Sequence, residues 1–280
     1  MALHACDPKS PPPSYQPVFA SDTSGNKTLI WGFPSFSYCE NAEQIVKYIN
    51  KRLLHAHIVV KACVNWDEYV SYVNQHAFDI SLVNGLEALD ATHNGYSIFG
   101  KIMNDGEYTA VIFARKDAHI KKVSDLTGKK IAMAPSRMVP GTMMPLYYLY
   151  EHGLNVNRDI TKVHVSSFES AIISTYLDKS EAGICMKRNW IVYIRDHPEI
   201  LTKVELKWET PPLVNNALLV KNNTDKEITA QLMSLFFTMH TDPEGKMALN
   251  LLDISGFEKA NNDTYKSTLD FKRKYDAAIH

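Results

Sequence analysis

The sequence predicts an α/β fold of two lobes, each a parallel-type sheet flanked by helices, joined by two hinge strands. Two observations carry that reading. From Thr28 onward, short apolar runs alternate with amphipathic stretches, the pattern of β/α units laid on a parallel sheet. The two strongest strand signals, Tyr108–Ala114 and Ala217–Val220, lie far apart and bracket a second, self-contained β/α series. A chain that leaves one lobe near residue 112 and returns near 216 crosses twice, which makes a hinge with a cleft between the lobes. The expected boundaries are residues 28–112 and 217–280 for the first lobe and 113–216 for the second.

Each element has its own signal. Leu29–Phe33 is a strand ending at Pro34, and residues 42–54 place apolar side chains at helical spacing. His57–Ala62 and Phe78–Val83 are the next strands, with a helix over 67–74 between them. In the second series, 123–132 is a short helix and strand, 168–177 a helix and 182–185 a strand. Residues 226–238 and 243–252 then read as helices.

Bulk properties exclude several function classes. The chain has 280 residues, 45% hydrophobic and 22% charged, with a formal net charge of −1. That is enough chain to bury two cores. With no basic run there is no electrostatic footprint for nucleic acid, and no run of 18 apolar residues predicts a membrane-spanning helix. Cys6, Cys39, Cys63 and Cys185 are too scattered for a zinc knuckle or a redox Cys-x-x-Cys. Glycine-rich phosphate loops, nucleophile elbows and paired-histidine metal motifs are missing, so no cofactor is implied and no enzyme is expected.

The most informative stretch is 133–149. It follows the strand-like Lys129-Lys130-Ile131-Ala132 and opens an apolar helix-forming segment that ends near His152-Gly153. A strand, a glycine turn and a helix N-terminus make an anion cradle, because unpaired N–H groups and the positive end of the helix dipole converge there. Here Met138, Val139 and Pro140 precede Gly141. Proline has no N–H, and none of the three side chains carries a hydroxyl.

Several segments, in order, carry a family resemblance: Phe78-Asp79-Ile80-Ser81, Gly106–Ile112, Asp125–Ala132, Gly141–Leu149, Pro212–Asn216 and Asp242–Lys246. The chain resembles, from about residue 28 to 270, the phosphate/phosphite/phosphonate-binding proteins of ABC importers. The resemblance implies a two-lobed periplasmic-binding-protein (type II) clamshell, a periplasmic location and a membrane transporter as partner. The family's Ser-Thr-Ser-Gly ligand loop falls on Met138-Val139-Pro140-Gly141. Its lobe-one tyrosine falls on Trp66, its hinge tyrosine on Tyr108 and its second-lobe histidine on Phe168. A carboxylate of aminophosphonate binders falls on Arg188, and the hinge aspartate on Asn216.

Because these substitutions remove hydrogen-bond donors and add apolar surface, the residues predict a largely apolar ligand: a lipid, a sterol-like or an aromatic molecule. Trp66, Tyr108, Met138, Val139, Pro140, Gly141 and Phe168 would wall the cleft, with Arg188 and Asn216 at its polar end. Other readings stand beside it. The cleft has closed up and these residues pack the lobes together; the ligand is a phosphonate or related oxyanion; Met103, Met133, Met138, Met143 and Met144 hold Cu(I); or the protein presents its ligand to a membrane sensor. Leu3-His4-Ala5-Cys6 is similar to the end of a bacterial lipoprotein signal, and the Pro-rich run after it reads as a tether, so residues 1–27 are expected to anchor a monomeric carrier through lipidated Cys6. Cys39 and Cys63 are either two free thiols or a disulfide.

Overall fold

The computed structural model describes residues 26–134 and 138–279. Cys6 and the tether lie outside the described residues. In chain order the strands are β1 (Lys27–Phe33), β2 (Ala56–Ala62), β3 (Ile80–Val83), β4 (Tyr96–Ile102), β5 (Ala110–Arg115), β6 (Lys130–Met133), β7 (Thr161–His164), β8 (Ala182–Met186), β9 (Val204–Glu209), β10 (Ala217–Lys221) and β11 (Phe257–Lys259). The helices are α1 (Phe36–Asn50), α2 (Trp66–Asn74), α3 (Gly85–Thr92), α4 (Met144–Glu151), α5 (Phe168–Tyr176), α6 (Lys187–Asp196), α7 (Lys226–Thr238), α8 (Pro243–Leu251) and α9 (Lys266–Ile279).

The strands form two sheets, in the orders β11-β4-β10-β3-β1-β2 and β7-β6-β8-β5-β9. Alternation along β1 explains the first lobe. Leu29, Trp31 and Phe33 join one apolar cluster with α1, α7 and α8, while Ile30 packs against another on the opposite face with α2 and α3. The second lobe repeats the plan, with α4 and α9 on one face of its sheet and α5 and α6 on the other.

Both sheets are mixed. The strands on the returning crossovers run against their neighbours: β10 is antiparallel to β3 and β4, and β5 is antiparallel to β8 and β9. The expected hinge strands therefore do not span two lobes. β5 belongs wholly to the second sheet and β10 to the first, and the crossings are the irregular segments 103–109 and 210–216. The structure also draws the lobe boundary differently at the C-terminus. α9 follows first-lobe elements, yet its Tyr275 and Ile279 enter the second-lobe core with Leu146 and Leu149 of α4. Apolar residues on one face of α9 complete a core on the far side of the cleft, a partner choice that helical spacing leaves open.

One buried lysine ties the two crossings together. Lys101, at the end of β4, donates to Asp105 Oδ1 at 2.7 Å and lies 2.5 Å from Glu258 Oε1. The same Asp105 oxygen accepts the Asn215 backbone N–H at 2.9 Å, and Tyr265 donates its hydroxyl to the Asn215 carbonyl at 2.8 Å. An ammonium thus organises both hinge segments around one carboxylate.

Candidate functional site

The carboxyl ends of β1, β3 and β4 point toward the second lobe, where ligands of open α/β sheets collect. A cavity of about 50 Å³ lies there. Phe33, Tyr38, Leu82, Ile102 and the segment Leu252-Asp253-Ile254 line it from the first lobe, Glu107, Asn215 and Asn216 from the hinge, and Met186 and Arg188 from the second lobe. At about 10–15 Å³ per water-sized group, it has room for roughly three to five such groups. A wider recess of about 450 Å³ shares Tyr38, Arg188, Leu252 and Asp253 with it.

The positive charge at this cavity comes from α6, and Glu107 and Asp253 bring carboxylates to it. Arg188 is the second residue of that helix, which begins at Met186 without a side-chain cap. Its guanidinium Nε lies 3.4 Å from Asp253 Oδ2 across the cleft, with the two side chains 22% and 55% exposed. Glu107 is engaged by the Asn104 amide. The amides of Asn215 and Asn216 belong to the returning crossover, where the Asn216 N–H donates to Asn215 Oδ1 at 2.8 Å and its carbonyl accepts from Ile102.

Of the nine residues expected at the cleft, Arg188 and Asn216 line this cavity. The loop residues sit elsewhere. Val139, Pro140 and Gly141 are buried in a wide helical turn over 139–143 that leads into α4, and Val139 is part of the second-lobe core. The N–H groups of Thr142 and Met143 both donate to the Met138 carbonyl, and the Thr142 hydroxyl donates to the Ala134 carbonyl at 2.8 Å. Those two N–H groups and that hydroxyl are consumed within the turn. Phe168 lies against it: a Cβ on Gly141 would be 2.3 Å from Phe168 Cε1 and 3.0 Å from the Ala134 Cβ. An aromatic ring on the glycine replaces a polar contact with an apolar one.

Trp66 and Tyr108 meet a residue that sequence reasoning missed. Trp66, half-buried and packed on Tyr69, donates its indole N–H to Glu87 Oε1 at 3.4 Å. Burial pushes the Tyr108 hydroxyl well above its usual pKa, and the Glu87 charge adds to the effect. Glu87 sits in the first turn of α3, whose cap Asn84 accepts from the Leu86 and Glu87 N–H groups. Asp253 and Tyr38 were missed as well. Each lies in a segment whose local pattern only says helix start or helix end, and nothing in the sequence pairs either with Arg188.

Met133, Met143 and Met144 are buried in the second-lobe core, while Met103 abuts Gly256 at the hinge. Among the described residues no group of three or more His, Cys, Asp or Glu could hold a metal ion, and no helix is long and apolar enough to cross a membrane. Cys39 and Cys63 are free thiols, and they pack in the clusters on opposite faces of the first sheet.

Two lobes, a cleft at the strand ends and a small charged cavity within it define a solute-binding clamshell. Comparison with known proteins gives the family. Residues 35–265 match the model of the phosphonate ABC-transporter periplasmic substrate-binding proteins, and the chain belongs to that family. It is 22% identical over 205 residues to the probable ABC transporter phosphite binding protein PhnD1 of Prochlorococcus marinus (strain MIT 9301), covering 69% of each chain. The structure of that organism's PhnD1 in complex with methylphosphonate superposes with a TM-score of 0.80 at 18% identity, over 89% of this chain and 98% of the other. A binding-protein component of a phosphonate ABC transporter from Pseudomonas aeruginosa gives 0.79 at 16% identity, over 91% and 89%. The protein is therefore a periplasmic substrate-binding component of transport and not an enzyme.

Proposed function

We propose that this protein captures a small oxyanion of the phosphonate type, bearing a short apolar substituent, and delivers it to an ABC importer. The observation that carries the reading is Arg188, a guanidinium at the head of α6 in a cavity of about 50 Å³. An arginine offers paired N–H donors to an oxyanion, and a helix start adds positive potential. Phe33, Leu82, Ile102, Met186, Leu252 and Ile254 suit an alkyl group beside it. The apolar ligand expected from the loop has less support, since Val139, Pro140 and Gly141 are buried in the turn before α4 and Val139 belongs to the second-lobe core. In this reading the apolar loop is core, and the anion sits on the opposite side of the second lobe's sheet ends, at α6. Lipidation of Cys6 would hold the carrier at the membrane; incorporation of labelled fatty acid, lost in Cys6→Ser, checks that part.

Calorimetry against methylphosphonate, phosphite, phosphate, fatty acids, sterols and aromatic acids tests the assignment. Binding should appear within the oxyanion set and fall about 10- to 100-fold in Arg188→Gln, the loss of one charge-assisted contact of about 1.5–3 kcal/mol. A sterol or fatty acid that binds while every oxyanion fails would overturn it.

A further inference from the structure

The carboxylate that faces Arg188 comes from the other lobe. Asp253 follows α8 in the left-handed region, with φ of 50°, between Leu252 and Ile254, which both line the cavity. Asp is one of the few residues that accept this conformation readily. The backbone there aims the side chain across the cleft, where it meets the guanidinium Nε at 3.4 Å. Arg188 needs such a partner. A cation in the first turn of a helix sits against the positive end of the dipole, and Met186 brings no capping oxygen. The neighbouring charges are otherwise engaged: Lys187 pairs with Glu209 at 2.8 Å, Asn189 donates to Glu169 at 3.2 Å, and Asn104 holds Glu107.

We propose that Asp253 is a resident counter-ion for Arg188, which closes the empty cleft and which a bound anion must displace, so that it sets the affinity and the charge selectivity of the site. The ligand half of this statement rests on the oxyanion reading; the closure half does not. A neutral solute cannot replace a carboxylate on a guanidinium without leaving the charge unpaired, whereas an oxyanion can. Partial exposure keeps the pair weak, so the effect is a shift of populations rather than a lock.

Two measurements separate the halves. Spin labels at Gln44 and Lys179, exposed positions on the first and second lobes, report the lobe separation without ligand. Asp253→Asn should move the distribution to longer distances, by about two- to five-fold in the open-to-closed ratio, and the swapped pair R188D/D253R should restore it. Calorimetry with methylphosphonate at low salt should then show Asp253→Asn binding about two- to five-fold more tightly than the wild type. An unchanged ligand-free separation, or an affinity that fails to rise where methylphosphonate binds, overturns the proposal. If neither protein binds methylphosphonate but the lobes still separate, the oxyanion reading falls and the closure role of Asp253 stands.

Discussion

Replacing Lys101 by Met tests the hinge at its centre. The substitution keeps the length of the side chain and removes the ammonium, which is 7% exposed and contacts carboxylates that are 42% and 44% exposed. Charge-assisted hydrogen bonds contribute about 1.5–3 kcal/mol each when enclosed and under about 1 kcal/mol when exposed. With a buried donor and half-exposed acceptors, two such contacts give a loss of about 2 kcal/mol. Water can reach the stranded carboxylates, which keeps the loss below the ~3–5 kcal/mol of a fully buried broken pair. For a chain of this size that lowers Tm by roughly 4–8 °C, measurable by thermal circular dichroism. The pH dependence has a definite sign. Burial pulls the Lys101 pKa down, but the hydrogen bonds to Asp105 and Glu258 outweigh it, so the folded value stands above 10.5. A raised lysine stabilises fully below its unfolded pKa and loses that contribution as pH climbs through the folded value. The Tm gap between wild type and Lys101→Met should therefore hold from pH 7 to about 10 and shrink above 10.5. A gap under 1 °C at neutral pH, or one that grows in alkali, would refute the reasoning.

Three further outcomes follow from the same geometry. Gly141→Ala should destabilise by about 1–3 kcal/mol, because its methyl group would overlap Phe168; adding Phe168→Ala should recover part of that loss, and strictly additive unfolding energies would show that the ring does not rest on the glycine. Asn84→Ala removes the cap of α3 and should cost about 1–2 kcal/mol in chemical denaturation; an unchanged midpoint counts against it. In a Cys6→Ser chain, Ellman's reagent at pH 8 should react slowly with the native protein and show three thiols after unfolding. Burial pushes Cys39 and Cys63 up to about 11 and Cys185 well above its usual value. Two missing thiols after non-reducing unfolding would reveal a disulfide between Cys39 and Cys63.

Much of the fold was legible because it depends on local pattern. The runs at β1, β2, β8 and β10 and the helical spacing of α2, α5, α7 and α8 require only neighbouring residues to be read. Less regular elements escaped. α3 is short and starts at a glycine, β4 carries Gly100 within it, and β7 is a four-residue edge strand. α6 opens on the polar run Lys187-Arg188-Asn189 and keeps its apolar residues in one continuous block, and charged residues stand throughout α9. The sequence reading sets Gly141 and Phe168 among the cleft residues, whereas the structure lays the Phe168 ring against Gly141. What failed to follow was their place, since a ring resting on a glycine fills a cradle as well as it lines a cleft.

By itself the sequence determined the two-lobed α/β architecture and the lack of hydroxyl donors at 138–140. These depend on periodicity and residue type, which are local. Tertiary structure alone decided that α9 completes the second core, that Lys101 joins both hinge crossings, and that Arg188 faces Asp253. Each of those is a meeting of segments distant along the chain. Such meetings are set by how helices pack on sheet faces and by where the crossings bring the lobes together, and no local pattern encodes that distance.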